Sequence, residues 1–248
     1  MIEAIVFIFG LIFGSFLNVV IYRLNAGSFG RPRSFCPHCS HQLSWRDNIP
    51  IVSFILLRGQ CRYCQKGISI QYPLVEVATA LILVWFYQAF GLSQLFFLYA
   101  IFAFFLVVIF TYDLRYYLIA DEVTIPAMVI ALVGNIFLGA DPWSLLTGAV
   151  IGGGFFSVQY LVSSGRWIGG GDIRLGALMG LMLGWQATII ALFIGYVAGA
   201  AVGLTLIAMG KKKLGSQLPF GTFLSGATLI ALVYGQKMYD WYLSTLGF

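Results

Sequence analysis

The chain has 248 residues, 60% of them hydrophobic and only 9% charged, with a mean hydropathy of +0.92; a soluble domain carries about 25% charged residues. That balance excludes a set of soluble domains and leaves one all-α polytopic membrane body. The net charge of +5 from 14 Lys and Arg against nine acids is informative through its placement.

The first apolar run predicts a helix over Ala4–Tyr22. It carries Glu3 where a signal peptide would be basic, and its basic flank follows it, so it reads as a retained first span. Residues 24–72 then form the one long polar segment. Further apolar runs predict helices at Val77–Phe90, Gln94–Tyr112, Val123–Leu138 and Trp143–Ser163. Leu175 to Met209 is an uncharged stretch of 35 residues, too long for one span, which needs about 20. A turn near "GWQ", Gly184–Gln186, would split it. The last helix is predicted at Gly221–Gly235. The total is about eight spans, with no internal repeat or low-complexity tract.

With eight spans, 13 of the 14 basic residues fall in alternate loops on one side, and Lys237 alone falls on the other. The positive-inside rule makes the basic side cytoplasmic and puts both termini outside. Basic loops also suit an anionic lipid leaflet, so they imply membrane lipid as a partner and no nucleic acid. The organisation read from the chain is a first helix over 1–23, a cytoplasmic module over 24–72 and a helical membrane domain over 73–248.

All four cysteines lie in the module, as "CPHC" (Cys36, Cys39) and "CRYC" (Cys61, Cys64), with 21 residues between the pairs. Two such pairs read as a tetrahedral Zn(II) site. Two disulfides are the competing reading, which a reducing cytoplasm disfavours. His38 or His41 could replace a cysteine, although both also suit exposed loop positions. Four thiolates leave no open coordination position, so the zinc is expected to be structural. A loop of about 50 residues needs such a staple to fold.

The acids are few. Glu3, Asp141 and Asp240 fall outside, and Asp47, in "RDNIP", reads as a turn or surface residue. Glu76, Asp113, Asp121, Glu122 and Asp172 all lie near the cytoplasmic boundary, where acids carry a functional presumption. Asp113 ends the third span. Asp172 opens the sixth within "GGGD" (Gly169–Asp172), on the same side and at a similar depth. Two neighbouring carboxyls do not both ionise readily. One can then activate water while the other, protonated, polarises a peptide carbonyl. Asp121 and Glu122 are rivals for the first position, and helix N-termini attract acids for electrostatic reasons alone. The three glycines beside Asp172 would let substrate or a partner helix approach closely.

Several motifs occur in order: "GSFLNVVIYRL" (Gly14–Leu24), the two cysteine pairs, "DNIP" (Asp47–Pro50), "LRGQCRYC" (Leu57–Cys64) and "YPLVE" (Tyr72–Glu76). Asp113, "GGGD" and "PFGTFL" (Pro219–Leu224) follow. Over nearly its whole length the chain resembles the bacterial type IV prepilin peptidases, membrane aspartyl proteases of the GxGD type. The resemblance implies cleavage of the basic leader from prepilins or pseudopilins at the cytoplasmic face of the inner membrane. It implies Asp113 and Asp172 as catalytic, with Gly169, Gly171, Pro219 and Gly221 supporting the pair or its substrate. It further implies N-methylation of the new terminus from S-adenosylmethionine. Glu76 is the residue expected to orient that cofactor or the amine electrostatically, against the plainer alternative of a salt bridge to Arg23 or Arg62. The chain departs from the family pattern at Ala120, where proline is common, at Arg174, where lysine is frequent, and in "PFGTF" for the usual "PFGPF".

Three other readings compete. A preflagellin-type peptidase would share the acids but not the cysteines. An ion-binding transporter or scaffold with a structural zinc loop would leave the ordered motifs unexplained. A zinc hydrolase would need an open site such as HExxH, which the sequence lacks.

Overall fold

The computed structural model describes residues 1–27, 33–213 and 216–245. Arg31, counted above on the basic side, lies outside them. The described chain is helical, with two isolated antiparallel bridges and no strand among the described residues. The helices are α1 (Ile2–Ala26), α2 (Val52–Leu56), α3 (Gln71–Phe90), α4 (Gln94–Tyr116), α5 (Asp121–Phe137), α6 (Pro142–Ser163), α7 (Gly170–Ala208) and α8 (Phe220–Thr245). Five of them, α1, α3, α4, α6 and α7, are long and apolar enough to cross a membrane. Their outward faces carry large apolar side chains such as Val150, Phe193 and Leu161, the surface that lipid rather than water would solvate.

The expected split of the long uncharged run is present. Gly184 has φ 74° and ψ 174°, so α7 is two helices joined at a kink. A kink frees carbonyls that hydrocarbon cannot hydrogen-bond. Buried Asn135 on α5 satisfies them, its amide donating to Leu181 O at 2.8 Å and Met182 O at 3.3 Å. The largest boundary shifts are at α3 and α8. α3 begins at Gln71 rather than Val77, because Pro73 falls in the first turn, where a missing N–H is harmless. α8 runs to Thr245 rather than Gly235, its polar end carrying a Gln236–Asp240 hydrogen bond one turn apart.

The chain divides into two compact units, Met1–Phe96 and Phe97–Phe248. In the first, α1 and α3 pack antiparallel at backbone distance. Gly10 meets Ala80, and a Cβ on Gly14 would lie 2.6 Å from the Glu76 Cα. The polar loop between these helices is fastened to α3 by Glu76, whose Oε2 accepts the Ile51 N–H at 2.8 Å. Ile51 stands at φ 60°, ψ −50°, and Val52 N–H donates to Pro50 O. This is a strained γ-turn for a β-branched residue. In the second unit α7 is central, packed on α5, α6 and α8. Facing glycines, Gly148 and Gly152 on α6 and Gly176 and Gly180 on α7, bring those two backbones into contact.

Candidate active site and metal centre

The tetracysteine loop folds as two turns of the same design, offset by 25 positions from Cys36 to Cys61. In the first, Cys36 N–H donates to His41 O and Ser40 N–H to Cys36 O. In the second, Cys61 N–H donates to Lys66 O and Gln65 N–H to Cys61 O. Ser40 and Gln65 both take positive φ, 57° and 59°. The sequence shows no repeat because only the cysteines recur. All four sulfurs lie within 4.8 Å of one another, and Cys36 Sγ is 3.8 Å from Cys64 Sγ. Zn–S bonds of about 2.3 Å at tetrahedral angles put sulfurs about 3.8 Å apart, so the four residues fit one zinc ion. Burial pushes the Cys36 thiol up, but hydrogen bonds from the Cys39 and His38 amides outweigh it and bring it down to about 7. Neither histidine belongs to the cluster; His41 packs its ring on Tyr63 at 3.6 Å.

Of the two positions expected for Asp47, turn or surface, it takes the turn, within Trp45–Asn48. Its side chain is 3% exposed and accepts from Arg62 Nε at 2.8 Å, from the Ser44 amide and hydroxyl, and from Tyr63 OH. Burial pushes its carboxyl up, but the Arg62 and Ser44 bonds outweigh that and hold it below the usual range. Asp47 therefore ties the turn Trp45–Asn48 to the second cysteine turn. Glu76 pairs with neither suggested arginine: it holds Ile51, and Arg62 belongs to Asp47.

The second unit contains a cavity of about 670 Å³ at the ends of α4, α6, α7 and α8. Asp113 and Asp172 both line it, as do Gly169, Gly170 and Gly171. Residues 59 positions apart in sequence thus face one space. Asp113 is 4% exposed. Its Oδ2 accepts the Thr222 amide at 2.7 Å and the Thr222 hydroxyl at 3.1 Å. Asp172 Oδ2 accepts the Gly169 N–H at 2.9 Å, while its own N–H donates back to Gly169 O. Asp172 therefore caps its own helix and still lines the cavity.

At Gly171 the close neighbour is the side chain of Ile119, whose Cβ would lie 2.9 Å from an added Cβ, while Gly170 has open space beside it. Ile119 Cδ1 also stands 3.1 Å from a Cβ placed on Gly221, which in turn would be 3.1 Å from the Asp113 Cγ. One aliphatic side chain therefore fills a slot between the two turns that carry or hold the acids. Pro219 is buried just before α8.

Of the rival acids, Asp121 lies in ion-pair contact with Arg174, Nε to Oδ1 2.8 Å, without the alignment of a hydrogen bond. Glu122 is not among the cavity residues. The cavity wall also includes Gln159 and Tyr196, joined by a 2.9 Å bond from the Tyr196 hydroxyl. Sequence reading missed Ile119, Gln159, Tyr196 and Thr222. Only Thr222 left a sign, as the departure within "PFGTF".

An all-helical membrane body with a four-sulfur cluster and two carboxylates on one cavity defines the class of a multi-helix membrane protein with an acid-lined site. Its relatives make the class specific. Residues 8–90 match the bacterial peptidase A24 N-terminal domain, and residues 100–204 match the type IV leader peptidase family. A prepilin leader peptidase/N-methyltransferase of Aeromonas hydrophila is 33% identical over 271 residues, covering 97% of this chain and 93% of that protein. One from Legionella pneumophila is 32% identical over 96% of this chain and 93% of its own length. One from Stutzerimonas stutzeri is 33% identical over 95% and 92%. No solved structure matches. The chain belongs to the type IV leader peptidase family.

Proposed function

We propose that this chain removes the basic leader from prepilins or pseudopilins with a pair of aspartates, Asp113 and Asp172, and then N-methylates the new terminus. The observation that carries the hydrolytic part is that both acids line one cavity from separate helices. Each is anchored through Oδ2, Asp113 by Thr222 and Asp172 by Gly169, so both groups are oriented before substrate arrives. One carboxylate takes a proton from water, and its protonated partner donates to the scissile carbonyl; the new amine leaves with a proton returned by the pair. The peptidase chemistry is assigned to the membrane helices of 73–248, and its site residues all come from 97–248. The module over 24–72 is assigned to methyl transfer, with zinc as its staple.

S-adenosylmethionine would supply the methyl group. In this reading Glu76 contributes by seating the module on α3 through Ile51. Purified chain incubated with a prepilin and S-adenosylmethionine is expected to yield pilin lacking its leader and then heavier by one methyl group. Glu76→Gln should cleave normally and methylate at least about tenfold more slowly, since a neutral amide holds the Ile51 N–H more weakly than a carboxylate. Unchanged methylation by Glu76→Gln would leave Glu76 with no part in that step.

The module lies in the cytoplasm of a bacterium's inner-membrane protein in this reading, with both termini outside. The 13-to-1 placement of basic residues supports it. Reporters fused after residue 45 and after Phe248 should therefore report opposite compartments; the same compartment for both would break the even span count.

Metal analysis of reductively purified protein should find about one zinc per chain. Serine at Cys36 and Cys61 together should abolish it and open residues 33–70 to protease. An ordered loop without metal would contradict the staple.

A further inference from the structure

We infer that Thr222 is a positioning residue for Asp113, a role resting on the aspartyl reading above and built from its backbone amide and its hydroxyl. The residue sits in the first turn of α8, directly after Gly221, and is 7% exposed. Its amide donates to Asp113 Oδ2 at 2.7 Å, and its hydroxyl approaches the same oxygen at 3.1 Å. The hydroxyl also lies 3.4 Å from Phe110 O, one turn back along α4, so it is held beside the carboxylate from two directions.

Two donors on one oxygen fix both the rotation of the carboxyl group and the face it presents to the cavity. Short bonds to a carboxylate are the strong, directional kind. The site around them is filled: Gly221 leaves room for Asp113, and Ile119 packs against Gly221. The carboxyl therefore has one supported orientation, and Thr222 supplies two polar contacts of that support beside the Gly221 amide. Proline lacks the amide hydrogen and the hydroxyl, so a chain with proline here would have to hold this acid in another way. The first turn of a helix tolerates proline, which makes the exchange a test of the contacts rather than of the helix.

The prediction concerns kcat. Orientation of a reacting group affects the chemical step more than ground-state binding. Thr222→Pro removes both donors, Thr222→Val removes the hydroxyl only, and Thr222→Ser keeps both. With purified, monodisperse protein and a prepilin substrate, Thr222→Pro should lower kcat by about thirtyfold and Thr222→Val by about fivefold, KM staying within about twofold in each case. Thr222→Ser should restore kcat to within about twofold of wild type. Hydrogen exchange of the 219–224 peptide gives a readout that needs no substrate: the Thr222 amide should exchange slowly in wild type and Thr222→Ser, and quickly in Asp113→Ala.

Wild-type kcat in both Thr222→Pro and Thr222→Val would overturn the role, as would a fall confined to KM. Fast exchange of the Thr222 amide in wild type would overturn the contact itself. A wild-type chain that cleaves no prepilin yet protects this amide only when Asp113 is present would sink the peptidase reading and leave the contact standing.

Discussion

Asparagine at position 113 or at position 172 is expected to lower prepilin cleavage by at least about 10³-fold, with normal amounts of folded protein in the membrane. Each carboxylate has its own anchor, so neither substitution should disturb the fold. Asparagine can still accept the Thr222 or Gly169 amide, but it can neither take a proton from water nor donate one to a carbonyl. In the proposed dyad the two acids act as one unit, so losing either should cost nearly as much as losing both. Asp121→Asn is the matched control: its acid contacts Arg174 and is not among the residues lining the cavity, and its cleavage rate should stay within about threefold of wild type. Strong cleavage by Asp113→Asn beside a dead Asp121→Asn would move the first catalytic position to residue 121.

The other large effect is expected on folding. Gly152 faces the Gly176 backbone, where any Cβ would overlap the carbonyl, and Gly148 faces Gly180 and Gly184 in the same manner. Neither partner is the end of a flexible side chain, so nothing can yield except the packing of α6 on α7. Leucine at Gly152 should cost more than about 3 kcal/mol and leave little folded protein after detergent extraction. Gly154 lies two positions on with nothing within 4 Å of an added Cβ, and Gly154→Ala should change stability by less than about 0.5 kcal/mol. Equal recovery of Gly152→Leu and Gly154→Ala in size-exclusion profiles would contradict the contact.

The elements that were legible in sequence are those set by local physics. Apolar runs located the long helices, and the length of the uncharged stretch foretold the break at Gly184. Cysteine spacing foretold the sulfur cluster. Errors arose where a polar or proline-bearing stretch continued a helix: Tyr72–Glu76 reads as loop until Pro73 is seen to occupy a first turn, and α8 continues through Lys237 and Asp240. The acids of the site could be nominated because charge is rare in this chain. Their supports could not, because they come from distant segments. Thr222 lies 109 positions from Asp113, and nothing near Ile119 says that two glycines from α7 and α8 will meet its side chain. Asn135 was equally silent, since its purpose depends on carbonyls 46 and 47 positions away. The turn at Asp47 was legible, but its burial was not, because its partners Arg62 and Tyr63 lie across the loop.

Two groups in this molecule, the cavity carboxylates and the cluster of four cysteine sulfurs, can be separated in one measurement. A prepilin is incubated with chelator-stripped wild-type protein and, in parallel, with zinc-loaded Asp113→Asn, and the products are weighed by intact mass. If the paired carboxylates are the hydrolytic machinery, the stripped wild type releases the leader and the zinc-loaded variant leaves the prepilin whole. Cleavage by zinc-loaded Asp113→Asn with none by stripped wild type would contradict it.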